Sequence, residues 1–448
     1  MRRLTLAVAG GLALFAPAAA DAQKPAPIRY ESYTLPNGLE VLLAEDHSSQ
    51  VVAVDVWYDV GSRNEKPGLT GFAHLFEHMM FQGSANVKKA EHFQFISRAG
   101  GDMNGSTADD RTNYWEVLPS NRLNLGLWLE ADRMRSLAVT AENLKNQQEA
   151  VKEERRLRID NQPYAKSFVE GLPQAFDSAT CFGYAHQGIG SMADLEAAKI
   201  EDVQAFFRTH YAPNNARLVV VGDFDPAATR ALIEQYFGDI PRQPEPPPVS
   251  CTGQFNRGAK RVRMPDAKAS LPAAIVSYVI PENGHADFPA LALLGTILGE
   301  GESSRLNRVL ARERKAVVAT QALAGLGPHR GPSLFIGFGI ANQGVSIDTV
   351  EALLKSEFER LSKDGVTAAE LEKARNAYRA RTINERQQAF NVAEALHTAA
   401  TFLGGPEAMN TQFDRYMAVT VDDIKRVAAT YFRPDNSFTL IVVPEAAR

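Results

Sequence analysis

Glu201-Asp202-Val203, Tyr211-Ala212-Pro213-Asn214-Asn215 and Leu218-Val219-Val220-Val221 are echoed later in the chain by Asp422-Asp423-Ile424, Phe432-Arg433-Pro434-Asp435-Asn436 and Leu440-Ile441-Val442-Val443. The offset from Glu201 to Asp422 is also the offset from Tyr211 to Phe432. Each copy reads as a helix, a Pro-Asn turn and a buried strand. One such unit closing each half of the chain means two homologous domains. Between them Pro241 to Pro248, containing Pro-Glu-Pro-Pro-Pro, reads as a stiff extended linker. The expected domains are therefore 28–240 and 251–448, joined by a linker at 241–250.

Strand-like runs flank the helices in both halves: Val41 to Ala44, Val51 to Tyr58 and Asn113 to Leu118, then Ala273 to Val279 and Leu334 to Ile340. Strands mixed with long amphipathic helices predict an α+β fold, each domain a largely antiparallel sheet covered on one face by helices. With 448 residues, 45% of them hydrophobic and 23% charged, the chain can bury large cores. The net charge of −5 argues against a nucleic-acid surface. The run Arg155-Arg156-Leu157-Arg158 then reads as the solvated flank and polar end of a helix.

The chemistry is concentrated in His74-Leu75-Phe76-Glu77-His78. On a helix, His74, Glu77 and His78 share an arc of roughly 100°. Phe72, Ala73, Leu75, Phe76, Met79, Met80 and Phe81 cover the rest, so the helix is buried. Three polar groups on a buried face need one another or a ligand, since each left unpaired costs about 1–3 kcal/mol. A cation satisfies all three. Two imidazoles, one further carboxylate and a water make the four-coordinate site of catalytic zinc, with Glu77 placed as base toward that water.

The order His-x-x-Glu-His is the inverzincin arrangement, and here the chain resembles the pitrilysin-like zinc peptidases, among them insulin-degrading enzyme and the mitochondrial processing peptidase. That resemblance implies a third ligand on a later helix, within Glu149-Ala150-Val151-Lys152-Glu153-Glu154. Aligning the Ala-Val pair with the family pattern selects Glu154. Helical phase agrees, if Leu144, Ala150, Val151 and Leu157 form the apolar side with Glu154 near its middle and Glu153 on the flank. Glu153 is the fallback. Where the family often carries a supporting Glu seven residues before the ligand, this chain has Gln147, on the same face as Glu154.

The resemblance further implies a chamber in which an extended peptide adds a strand to a sheet edge. Gly100-Gly101-Asp102-Met103-Asn104-Gly105 resembles the receiving segment, making Asn104 and Gly105 candidate substrate contacts; an ordinary Gly-rich turn is the alternative. Family members also supply an Arg and, seven residues later, a Tyr toward the substrate. Arg312 matches the Arg, but the Tyr position falls on Ala319. This implies a homologous partner subunit that provides the Arg-Tyr pair, with the present chain as the zinc-bearing half. A non-catalytic peptide-binding or scaffold homologue is the alternative, motivated by Gln147 and Ala319. In the second half, sliding Gly83 onto Gly301 places Ala292, Gly295 and Thr296 where His74, Glu77 and His78 stand, so that domain keeps the helix and lacks the chemistry.

Arg2 and Arg3 precede an apolar run from Leu4 to Ala20, and Ala20-Asp21-Ala22 offers a cleavage site. Residues 1–22 read as a secretory signal peptide, with an uncleaved anchor as the alternative. No other stretch is long and apolar enough to span a bilayer, so the mature chain is expected without a membrane span, in the periplasm if the source is a Gram-negative bacterium. Cys181 and Cys251 are either paired or two free thiols.

Overall fold

The computed structural model describes residues 24–251 and 258–445. The predicted leader lies outside them. Strands β1 (Glu31–Thr34), β2 (Glu40–Glu45), β3 (Val51–Tyr58), β4 (Asp102–Thr107), β5 (Thr112–Pro119) and β6 (Ala216–Gly222) form a sheet in the order β1-β2-β6-β3-β5-β4. Strands β7 (Lys260–Asp266), β8 (Ala273–Ile280), β9 (Val317–Ala324), β10 (Ser333–Ala341) and β11 (Ser437–Pro444) form the other, in the order β7-β11-β8-β10-β9. The second order is the first without β1, and each sheet has one parallel pair, β2 with β6 and β7 with β11, among antiparallel ones. The fold is therefore α+β with two homologous domains. The constant offset extends through β6 and β11, whose first residues are Ala216 and Ser437. It places Thr439, rather than Leu440, in the position of Leu218; the apolar quartets quoted above are out of step by one residue.

The helices of the first half are α1 (Phe72–Met79), α2 (Glu91–Arg98), α3 (Leu123–Ser136), α4 (Ala141–Arg155), α5 (Ala165–Gly171), α6 (Met192–Ala197), α7 (Ile200–His210) and α8 (Pro226–Phe237). Those of the second are α9 (Phe288–Gly299), α10 (Ile347–Asp364), α11 (Ala368–Glu385), α12 (Ala389–Phe402), α13 (Ala408–Ala418) and α14 (Val421–Tyr431). One face of each sheet packs on helices of its own half. Val52, Val54, Val56, Leu218 and Val220 do so in the first, Ala274, Val276, Phe335 and Ile441 in the second.

The opposite faces are covered reciprocally. Leu42, Ala44, Val219 and Val221 pack against Val392, Ala393, Leu396 and Ala399 of α12, and against Ala408 and Met409 of α13. Ala273, Ile275, Ile336, Leu440 and Val442 pack against Leu172, Tyr164, Phe168 and Phe176 from the first half. Each sheet is thus buried on both faces, and strands buried on both faces read as continuous apolar runs, as Val51–Tyr58 and Ala273–Ile280 do. Polar clasps add to this interlock. His329 Nε2 lies 2.8 Å from Asp109, Arg330 Nη1 2.6 Å from Asp59, and Gly331 N donates to Tyr184 Oη at 3.1 Å. Cys181 and Cys251 form a disulfide that ties the end of the linker region back to the first half.

Candidate metal centre

Helix α1 begins at Gly71, whose φ of +85° favours glycine, and a Cβ there would stand 2.6 Å from the Cα of Gly190. No side chain of α1 caps its own first turn. The buried Glu65 does so from the preceding loop, accepting from Gly71 N and Ala73 N at 2.8 Å each. His186 Nε2 stands 2.9 Å from the same carboxylate. Burial pushes Glu65 up, with the His186 hydrogen bond opposing. The helix carrying the motif is therefore fixed at its N-terminus by Glu65 from the preceding loop, itself held by the distant His186.

From α1, His74 and His78 face Glu154 on α4. His78 Nε2 lies 3.1 Å and His74 Nε2 3.6 Å from Glu154 Oε2, and the three ligand-type atoms all fall within 4.8 Å of one another. Arg158 Nη1 forms an ion pair with Glu154 Oε1 at 2.9 Å, which leaves Oε2 turned to the imidazoles. Gln147 Oε1 sits 3.3 Å from His78 Nδ1, fixing that ring so that Nε2 points at the convergence. Thr107, at the end of β4, donates to Glu77 Oε2 at 2.6 Å.

Burial, then the neighbouring His78, pushes His74 down to about 4, so its imidazole is neutral at physiological pH. Burial raises Glu77. The His78 hydrogen bond holds Glu154 below the usual carboxylate range. For His78, burial pulls the pKa down, but the hydrogen bond it donates to Glu154 and the charge of Glu77 raise it on balance. Two imidazole nitrogens and one carboxylate oxygen aimed at one point, beside a second carboxylate, are the donor chemistry of a zinc site with a base.

These residues line one cleft with Asn104, Gly105, Ser106, Thr107, Phe81, Phe93, Gln147 and Arg158. Its far wall is β4, the edge strand of the first sheet, and a Cβ on Gly105 would meet Tyr114 at 3.0 Å and Phe81 at 3.2 Å. The sequence-predicted residues His74, Glu77, His78, Glu154, Gln147, Asn104 and Gly105 thus come together. Arg312 does not. It lies in a π-helical segment of the second half, Asn307–Glu313, exposed and paired with Glu302. Ala319 sits on β9, the corresponding edge strand of the second sheet.

Helix α4 differs from its sequence reading. Leu157 is 56% exposed and Ala150 is also exposed, so neither belongs to the apolar side. The buried residues are Leu144, Gln147, Val151, Lys152 and Arg155. Glu154 stands at the margin of that face, its side chain 18% exposed, against 57% for Glu153, which pairs with Arg156. Arg155, expected on a solvated flank, is buried. Its Nη1 donates to Gly190 O at 2.6 Å and Gln187 Oε1 at 2.7 Å, and its Nη2 to Glu170.

Thr107 was open to detection, since strand alternation puts it on the face of Gly105; Glu65 was not. The matching place in the second half is closed. Positions that would carry Cβ atoms on Gly295 and Gly299 of α9 lie against the backbone of 322–324 in β9, so small residues let that helix settle onto its strand where the first half keeps a cleft. A separate grouping of His92, Glu116 and Glu130 is buried beneath β5. Its cation is already present: Arg133 Nε donates to Glu130 at 2.9 Å and Nη2 reaches Glu116 at 3.5 Å.

Comparison with known proteins agrees with this architecture. Residues 40–176 match the family model described as insulinase, peptidase family M16, and residues 197–378 match the one described as the peptidase M16 inactive domain. The chain belongs to the M16 peptidase family. It is 29% identical over 420 residues to the zinc protease PqqE of Helicobacter pylori, covering 93% of each chain. It is 24% identical to the probable mitochondrial-processing peptidase subunit beta of Arabidopsis thaliana, over 89% of this chain and 75% of that one. A crystal structure of a protease from Helicobacter pylori, 28% identical, superposes with a TM-score of 0.87 over 93% of this chain and 100% of that one. The periplasmic protease PqqL from Escherichia coli shares the fold, with a TM-score of 0.75 at 18% identity over 94% of this chain and 48% of its own.

Proposed function

We propose that the chain is a zinc metalloendopeptidase acting on extended peptides or small unfolded proteins, and the catalytic subunit of a heterodimer. The observation that carries this reading is the convergence of His74 Nε2, His78 Nε2 and Glu154 Oε2 beside Glu77, in a cleft bordered by a free sheet edge. The names of its relatives as zinc proteases support it. When bound to His74, His78 and Glu154, zinc supplies Lewis acidity that polarises a carbonyl and lowers the pKa of a water. Glu77 takes the proton from the attacking water and returns it to the leaving amine. Thr107 holds Glu77 for both transfers, and Gln147 holds the His78 ring. Asn104 and Gly105 lie on β4, whose open edge accepts the main chain of an extended peptide, so recognition reads backbone before side chains.

An Arg-Tyr pair of the kind the family resemblance implies would give the cleft a donor for the oxyanion, an element worth about 3–4 kcal/mol in comparable sites. Arg312 and Ala319 do not border it, which motivates a homologous subunit supplying an Arg-Tyr pair across the chamber. The disulfide Cys181–Cys251 supports an oxidising compartment, in keeping with a cleaved leader and a periplasmic location. Among the described residues no helix is long and apolar enough to cross a membrane.

Bound zinc and peptide cleavage, measured on the mature chain alone and mixed with a related subunit, test the proposal. Near one zinc per chain and cleavage only in the mixture are expected, with Glu77→Gln keeping the zinc and losing turnover by at least about a hundredfold. Full activity alone removes the heterodimer. Absence of zinc moves the scaffold reading, which Gln147 and Ala319 favour, to the front.

A further inference from the structure

Between the first sheet and α12 of the second half lies a polar relay that ends at the cleft. Glu394 Oε1, on α12, accepts from Trp57 Nε1 at 2.9 Å and from Asn113 Nδ2 at 2.8 Å. Asn113, on β5, accepts in turn at its Oδ1 from Ser106 Oγ at 2.7 Å and Arg111 Nη1 at 3.1 Å. Arg111 Nη1 also donates to Ser106 O at 2.8 Å, closing the turn between β4 and β5. Ser106 pairs with Asn113 in the ladder, and its neighbour Asn104 pairs with Trp115. Trp115 packs on Phe390 of α12, ring centroids 4.4 Å apart. Two successive outward-facing residues of the edge strand are thus each backed by a β5 residue that α12 holds.

Trp57, Glu394, Asn113, Ser106 and Arg111 are hydrogen-bonded to one another in a place where few polar groups belong, while beside them Asp55 Oδ2 and His397 Nδ1 have no hydrogen-bond partner among the described residues. Asn113 is buried, Asp55 beside it is fully buried, and Asn113 Nδ2 also reaches Asp55 Oδ1 at 3.3 Å. His397 stacks on Trp57 with centroids 4.8 Å apart, and its Nε2 donates to Asp55 O at 3.1 Å. Burial, and then the adjacent Glu394, push the Asp55 carboxyl well up. A buried network of this kind costs stability unless complete, and when complete it fixes geometry. An edge strand otherwise has hydrogen bonds on one side only and is free to fray.

We propose that Glu394 is a positioning residue for the substrate strand: through Asn113 and Ser106 it holds β4 in place, so that the second half, though it lacks the metal chemistry, sets the edge on which a peptide pairs. The proposal rests on the peptidase reading for its functional meaning, but the positioning itself is measurable without catalysis. Amide hydrogen exchange of residues 102–107 and 40–45 is compared in wild type, Glu394→Ala, Glu394→Gln and Ser106→Ala, alongside zinc content and peptide kinetics. Glu394 lines a cavity of ≈ 430 Å³, so its truncation enlarges an existing space.

In Glu394→Ala, protection of 102–107 is expected to fall about tenfold, the equivalent of one net hydrogen bond, with 40–45, which packs on α12 outside the relay, unchanged. KM for a peptide rises while kcat and zinc content hold. Glu394→Gln, which keeps an acceptor for Trp57 and Asn113, restores both readouts. Ser106→Ala loosens 102–107 without disturbing α12. Unchanged exchange of 102–107 in both truncations overturns the proposal, as does an equal loss over 40–45, which would mark Glu394 as merely structural. If wild type cleaves no peptide, the peptidase reading fails while the exchange comparison still decides the positioning.

Discussion

Replacing Arg155 by Met removes a buried side chain that ties the end of α4 to the Gly190 loop against which α1 starts. Its guanidinium donates to Gly190 O, Gln187 Oε1 and Glu170, with Asp160 3.6 Å away, and Gly190 backs directly onto Gly71 at the first turn of α1. Breaking a buried charge from its partners costs about 3–5 kcal/mol. Glu170 and Asp160 are 26% and 31% exposed and recover water when the partner is lost, so the lower end, about 3 kcal/mol, applies. For a half of this size that is a fall in Tm of roughly 6–12 °C. The neighbouring Arg156 is 47% exposed and pairs with an exposed Glu153, an interaction worth about 0–1 kcal/mol. Arg156→Met is therefore expected to shift Tm by less than about 4 °C. Because Glu154 precedes Arg155 and the histidines lie on α1, Arg155→Met should also weaken zinc binding measured against a chelator, whereas Arg156→Met should not. Thermal scans and chelator competition on both variants decide it. Equal Tm shifts, or intact zinc affinity in Arg155→Met, would refute the argument that this buried guanidinium sets α4 against α1.

Glu154→Gln should lose bound zinc while Glu153→Gln keeps it, by metal analysis after dialysis; the reverse pattern would make Glu153 the ligand. Arg305 makes a bidentate pair with Glu370, at 2.6 and 2.7 Å, and its hydrogen bonds, with burial opposing, bring the carboxyl down to about 2. A carboxylate held below its unfolded pKa of 4.5 adds stability that is complete above that pH and lost as pH falls toward about 2. Glu370→Gln should thus lower Tm at neutral pH, with the gap to wild type closing between pH 4.5 and 2. A gap independent of pH would show that the ion pair is not its source.

The sequence by itself determined the duplicated α+β plan, the central strands β2, β3, β5, β6, β8, β10 and β11, and the His-x-x-Glu-His helix, because each element is written in residues close together along the chain; the more exposed strands β1, β4, β7 and β9 carry no such apolar run. Period and turn chemistry report local burial, and the repeat reports the copy. Helical phase also favoured Glu154, the carboxylate that stands beside the histidines, over Glu153, although the face it invoked was partly wrong: Leu157 is exposed and Arg155 buried. Hydrophobicity ranks residues by what usually buries, and an arginine whose charge is met by Gly190, Gln187 and Glu170 is invisible to that ranking. Only tertiary structure decided the rest. Glu65 caps α1, Thr107 holds Glu77 across 30 residues, and Glu394 reaches Asn113 across 281. The exchange of α12 and the segment 164–176 between halves is likewise a matter of which apolar face meets which. Binary patterning says that both faces of β3 and β8 must be covered, and several helices satisfy it equally well. Chain connectivity and shape complementarity select the pair that closes both sheets at once, and they also leave Arg312 on the outside, where a match to the family's arginine says nothing of what it can reach.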